Sequence, residues 1–289
     1  MIYKTAISPY SIKEIDAETT FLLDLYSGAI SAHSFRLLKS SYTGSCIRVR
    51  RSIDNLEQDI GFLNGYLDTA SMLTFCGLGN GYIVTWYEQT GLGYDVTNST
   101  ASEQPQIVSS GTLITVGGFV ASDYDGSHSY LTAGLGNSLN YVDSISLFRV
   151  GSSDSIAAGK RLCSDDKIGV QGYFIDYFNN TSSSYNDGTG YITANQSILA
   201  ASTHFVYSTC VKINGNVEID FNASNETSSL AAWDGSIGTS GQAGYSIGSG
   251  ADGGQLYDGK IQEIIIFGSD KSSDKTGIRE NQNNYYNVY

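Results

Sequence analysis

The distribution of apolar and polar positions predicts many short strands and few helices. Ile47–Ser52 alternates apolar and basic residues, with Ile47 and Val49 set against Arg48 and Arg50, the period of a strand with one face buried. Gly79-Asn80-Gly81 turns the chain into Tyr82–Tyr87, a run of β-branched and aromatic residues. Gln104–Val108, Ser144–Val150, Ile168–Phe178, Tyr245–Ile247 and Lys260–Phe267 read as further strands, and His204–Ile213 and Val217–Phe221 as a hairpin about Asn214-Gly215. Lys260–Phe267 (KIQEIIIF) is too apolar on both faces for an edge and is expected to be central. Ser152–Asp166 reads as a long polar loop. Three segments read as helices. In Ala29–Ser41, Ile30, His33 or Ser34, Leu37 and Ser41 share one face. Thr69–Cys76 is capped by Asp68 and stopped by Gly77, and the third segment runs roughly over Asp274–Asn284.

Composition agrees with an all-β chain joined by tight turns: 33 Gly and 21 Tyr among 289 residues, with 2 Pro. With no linker and no internal repeat, the economical reading is one sandwich over 26–289 preceded by an N-terminal arm over 1–25. The net charge of −13 argues against a nucleic-acid partner and against an anionic membrane surface. No signal-peptide pattern opens the chain. Cys46, Cys76, Cys163 and Cys210 are therefore expected as buried free thiols, although two disulfides stay open as an alternative.

Arg48, Arg50 and Arg51 are followed closely by Asp54, Glu57 and Asp59. This spacing predicts a structural seam of guanidinium–carboxylate pairs. His33 reads as a satisfied core histidine at a helix–sheet contact.

Several segments resemble a known family. Ala32–Leu38, Ser41–Arg51, Asp54–Phe62, Leu67–Phe75, Gly79–Gly93 and Gln104–Val108, with the tail from Tyr257, are similar to the arabinofuranosidase B catalytic domain and to phage proteins carrying the same sandwich. The resemblance implies an all-β fold: a concanavalin A-like, laminin G-like antiparallel β-sandwich jelly roll with a few short helices. Those families usually read Asp-Gln-Ser-Gly-Asn-Gly where this chain has Glu88-Gln89-Thr90-Gly91-Leu92-Gly93, which reads as a structural loop or a ligand contact. The family's general acid lies in a glycine-rich loop before the final strand. Here Gly248–Gly254 precedes Tyr257-Asp258-Gly259, so Asp252 is the matching position. The partner glutamate has no matching segment; Glu218 and Glu226 lie in the right half without the surrounding pattern.

Cleaving a glycosidic bond requires two carboxylates at defined separation, and one was found. The sequence reading therefore favours a non-catalytic virion surface component, made in the host cytoplasm and homo-oligomeric. Its partners would be other virion proteins and a host surface polysaccharide held by Trp233, Asp234, Asp252, Glu88 and Gln89. The alternative is a glycoside hydrolase resembling α-L-arabinofuranosidase, with Asp252 as general acid. No cofactor or metal is expected. Asp123-Tyr124-Asp125-Gly126 and Asp165-Asp166 have oxygen ligands suited to Ca²⁺ but read as solvated turns.

Overall fold

The computed structural model describes residues 21–134, 139, 144–155, 160–167, 170–177, 183–186, 191–194, 201–212, 217–228, 244–250 and 253–289. Asp258–Phe267 organises the fold, as its two apolar faces predict. One of its edges pairs antiparallel with Ser144–Ser153. The other is shared end to end by Ala29–Ser34 and Ser122–Asp125. Beyond Ser144–Ser153 the layer continues through His204–Lys212, Val217–Phe221 and Ser224–Ser228.

A second antiparallel layer begins with Glu57–Ile60, Ile47–Arg51 and Gly81–Trp86. It passes through Val96–Thr97, Leu131–Thr132 and Gly244–Ile247 to Arg161–Lys167 and Val170–Tyr177. Gln106–Ser109 bonds Gly81–Trp86 on one side and Ser122–Asp125 on the other, so the two layers merge at one corner. The architecture is an antiparallel β-sandwich with a few short helices.

The main core lies between the layers. Val49, Ile83, Ile107, Leu147, Ile247 and Ile264 are fully buried there. Each such side chain contributes about 1.5–3 kcal/mol when removed from water. Trp86 lies flat on Phe35 with ring centroids 4.6 Å apart. Ile265 and Phe267 alternate with Ile264 and Ile266 and face the other way. There they form a second core with Leu22, Leu38 and Ile278 of the closing helix, Lys275–Tyr286.

That helix is fixed by a buried ion pair. Arg36 grips Glu263 with Nε–Oε2 2.7 Å and Nη2–Oε1 3.0 Å, and Glu263 also accepts from Ser34 Oγ and Gln282 Nε2. Burial alone would lower the Arg36 pKa, but Glu263 raises it further than burial depresses it.

Several expectations hold. Asp68 caps Thr69–Cys76, accepting from Ser71 N at 3.0 Å, and Gly77 ends the helix at φ +59°. All four cysteines are free and buried.

Others are corrected. Ala29–Ser34 is a strand, not the start of a helix over Ala29–Ser41. Within the segment read as the Ser152–Asp166 loop, the first strand runs on to Ser153 and a new strand begins at Arg161. Asp165 is a fully buried strand residue, so it is not a solvated turn. Residues 1–20 of the expected arm lie outside the described residues. The described end of that arm, Leu22–Leu25, packs Leu22 and Leu23 into the second core.

The arginine seam is partly as expected. Arg48 holds Asp59 through two bonds of 2.8 and 2.9 Å, and Arg51 holds Asp54 through two of 2.8 and 2.7 Å. These pairs sit within one layer at its surface, where each contributes less than about 1 kcal/mol. They do not join the two layers; the apolar core does. Arg50 takes no acid. It donates to Gln104 Oε1, Asn55 Oδ1 and the Ala101 carbonyl.

Candidate functional site

Three places in the fold are candidates for chemistry, two of them anticipated from the sequence. The first is the Glu88–Gly93 loop. Glu88 is buried, and its carboxylate accepts from the backbone N–H groups of Thr90, Gly91 and Gly93 at 2.6, 2.8 and 2.9 Å, as well as from the Thr90 hydroxyl. Gly91 and Gly93 both have positive φ, which lets their N–H groups converge on one side chain. Gln89 is fully buried. Its amide donates to the Ser34 and Arg36 carbonyls and accepts from Leu38 N. Glu88 spends its carboxylate on its own loop, and Gln89 ties that loop to the chain between Ser34 and Leu38. They are not presented to a sugar, which corrects the ligand-contact reading of Glu88 and Gln89.

Beside that loop, between the layers, lies His33. Its ring is 5.7 Å from Trp86 and 5.9 Å from Tyr245, and neither ring nitrogen has a hydrogen-bond partner among the described residues. It sits at a sheet–sheet contact on a strand, unlike the satisfied helix–sheet residue expected. Burial lowers its pKa to about 4, outweighing the attraction of Glu88. An unfolded histidine protonates near 6.5, so between those values the unfolded chain binds the extra proton. Stability from this residue is complete above pH 6.5 and is lost as pH falls toward 4, by about 3 kcal/mol over the window. Urea titrations at pH 7 and pH 4.5 are expected to differ less for His33→Phe than for the parent chain. Equal pH dependence in both would contradict the assignment.

The second place is the rim that carries the predicted general acid. Asp252, like Trp233 and Asp234, lies outside the described residues, but the flanks of its loop are fixed. Gly248 N donates to Leu162 O, Tyr257 N to Gly248 O, and Gly250 N to Gly254 O. Gly253 has φ +71°, and a Cβ there would lie 3.3 Å from the Tyr130 ring. Tyr130 is held beside Glu103, and burial followed by that carboxylate raises its pKa. The matching half of the chain offers no partner in Glu218, which pairs with Lys275 of the closing helix at 2.8 Å on the helix-covered face.

The third place was not anticipated as a site. A groove of about 420 Å³ opens on the outer face of the corner where the layers merge. Its floor includes Arg50, Tyr82, Gln106 and Asp123, each from a different strand. The Arg50 guanidinium lies 4.8 Å from the centre of the Tyr82 ring.

Asp123 and Asp125 both line the groove, and their surroundings push them apart. Burial raises the Asp123 pKa despite Lys260 at 3.3 Å. Burial would raise Asp125 too, but the N–H groups of Ser127, His128 and Ser129 converge on its Oδ1 and hold it well below the usual range. Asp123, Tyr124 and Asp125 all lie in the strand Ser122–Asp125, with Tyr124 fully buried, so this segment is not the solvated turn expected. Among the described residues no group of three His, Cys, Asp or Glu is placed to hold a metal.

Comparison with known families places the chain. The model of the α-L-arabinofuranosidase B catalytic family matches residues 24–211. The chain belongs to that family. Solved structures of similar fold include an arabinofuranosidase complexed with arabinofuranosyl-α-1,2-xylobiose. It has a TM-score of 0.67 and 15% identity, with 88% of this chain and 62% of that chain covered. A GH54 α-L-arabinofuranosidase soaked with a cyclic sulfate inhibitor has a TM-score of 0.61 and 16% identity over the same shares of the two chains. The likeness is one of fold, and this chain spans 62% of the length of those neighbours. A comparison with curated proteins finds no match. Membership of a catalytic family overturns the expectation of a non-catalytic virion component, and with it the expectation that the chain is not an enzyme.

Proposed function

We propose that the protein is a glycoside hydrolase that releases arabinofuranosyl groups from a carbohydrate, with Asp252 as general acid. The observation that carries this reading is the family match over residues 24–211. Asp252 is assigned by its sequence position between Gly248 and Tyr257, whose backbones are hydrogen-bonded to each other. In such a reaction an acid protonates the leaving oxygen while a second carboxylate stabilises or attacks the anomeric carbon.

The test is a panel of 4-nitrophenyl glycosides presented to the purified chain. Turnover of the α-L-arabinofuranoside, with little or none of the pyranosides, is the expected result. A chain inert toward every member of the panel, or one that prefers a pyranoside, would overturn the proposal.

A further inference from the structure

The outer groove belongs to no element of the proposed chemistry, yet its floor is ordered across the sheet. Strand register aligns Arg50 with Tyr82, Tyr82 with Gln106, Gln106 with Asp123, and Asp123 with Lys260. Five side chains from five strands thus form one row at right angles to the strands. Four strand spacings of about 4.8 Å make it roughly 19 Å long, enough for several sugar units.

Part of the row is already committed to shape. Each nitrogen of the Arg50 guanidinium donates one hydrogen bond, to Gln104, Asn55 and Ala101, which holds the group beside the Tyr82 ring. Lys260 is held between Asp123 at 3.3 Å and Asp154 at 2.6 Å. Gln106 and Asp123 both line the groove; the Gln106 amide nitrogen donates to Val108 O, and Asp123 Oδ1 lies 3.3 Å from Lys260 Nζ.

The groove lining holds one cation, Arg50, bonded to neutral partners, and two acids, Asp123 and Asp125, inside a chain of −13. An anionic polymer would meet repulsion from these acids and from the chain as a whole. Fixed amide and carboxylate oxygens beside an aromatic ring suit the hydroxyl and C–H faces of a neutral sugar.

We infer that the groove floored by Arg50, Tyr82, Gln106 and Asp123, in the row that Lys260 ends, binds the main chain of a neutral polysaccharide. The inference deepens the hydrolase reading by giving the enzyme a hold on a polymer, but the groove can bind whether or not the chain is catalytic.

Native gels cast with soluble arabinoxylan, linear arabinan or polygalacturonate provide the test, with the intact chain as the sample. At least one neutral polymer is expected to retard the chain, while polygalacturonate does not. Gln106→Trp, which fills the groove, and Asp123→Ala are each expected to raise the apparent Kd at least tenfold. Thermal melting of both variants is measured alongside. A Kd within twofold of the parent's in the two folded variants would overturn the inference, as would retardation by the anionic polymer alone or by none. If Asp123→Ala melts early, Gln106→Trp decides by itself, since that side chain makes one hydrogen bond, to Val108 O. The hydrolase reading is judged separately, by turnover of the nitrophenyl arabinofuranoside. Retardation without turnover would sink that reading and leave the groove standing, whereas turnover without groove-dependent retardation would do the reverse.

Discussion

Asp252→Asn is expected to lower kcat on a sugar leaving group by about 10²–10⁴-fold, the usual contribution of a positioned general acid. The loss should be much smaller on the 4-nitrophenyl arabinofuranoside. Nitrophenolate departs with little need of a proton, whereas a sugar alkoxide must be protonated as the bond breaks. The substitution should also remove the alkaline limb of the pH–rate profile, because that limb reports loss of the acid's proton. The asparagine keeps nearly the same shape, and thermal melting of the variant is measured alongside. Equal losses on both substrates with an unchanged pH profile would mean that Asp252 only positions something else.

The second large effect concerns stability. Glu263→Ala should destabilise the fold by about 3–5 kcal/mol, the cost of removing one partner of a buried ion pair. Glu263 is fully buried and binds Arg36 through both oxygens, while also serving Ser34 and Gln282. Its loss leaves the Arg36 guanidinium beneath Tyr285 and Tyr286 without a counter-charge. The closing helix is docked by this pair, so fraying of Lys275–Tyr286 should accompany the drop. Urea unfolding followed by circular dichroism measures both. A change below about 1 kcal/mol would show that the pair is solvated and the helix is held by Ile278 and the second core instead.

Local signals were legible in the sequence and long-range ones were not. The Asp68 cap and Gly77 stop act within a few residues, and the helix they predict spans Thr69–Cys76 as read. The apolar run of the closing strand announced a central position, and the strand has neighbours on both edges.

Ala29–Ser34 misled because it is covered on both faces. Ser31 and His33 point between the layers while Ala32 packs under the closing helix, so no alternation marks it as a strand and Ile30 with Leu37 mimicked a helical face. Arg50 was read with its sequence neighbours Asp54 and Asp59. Two of its three partners, Gln104 and Ala101, come from another strand's approach and are more than 50 residues away, and the third, Asn55, is an uncharged neighbour.

The groove was illegible for the same reason. Its row draws single residues from positions 50, 82, 106, 123 and 260, and only sheet register brings them together. For the function, the sequence offered Asp252 as a candidate acid, but the missing second carboxylate steered the reading away from catalysis. The family match over 24–211 reverses that weighting.

The decisive measurement is the release of free arabinose from arabinofuranosyl-xylobiose by the purified chain, followed by chromatography. Catalysis on this sandwich predicts arabinose and xylobiose in equal amounts, at a rate proportional to protein and lowered about 10²–10⁴-fold in Asp252→Asn. Intact trisaccharide after prolonged incubation, under conditions where the protein stays folded, would contradict it.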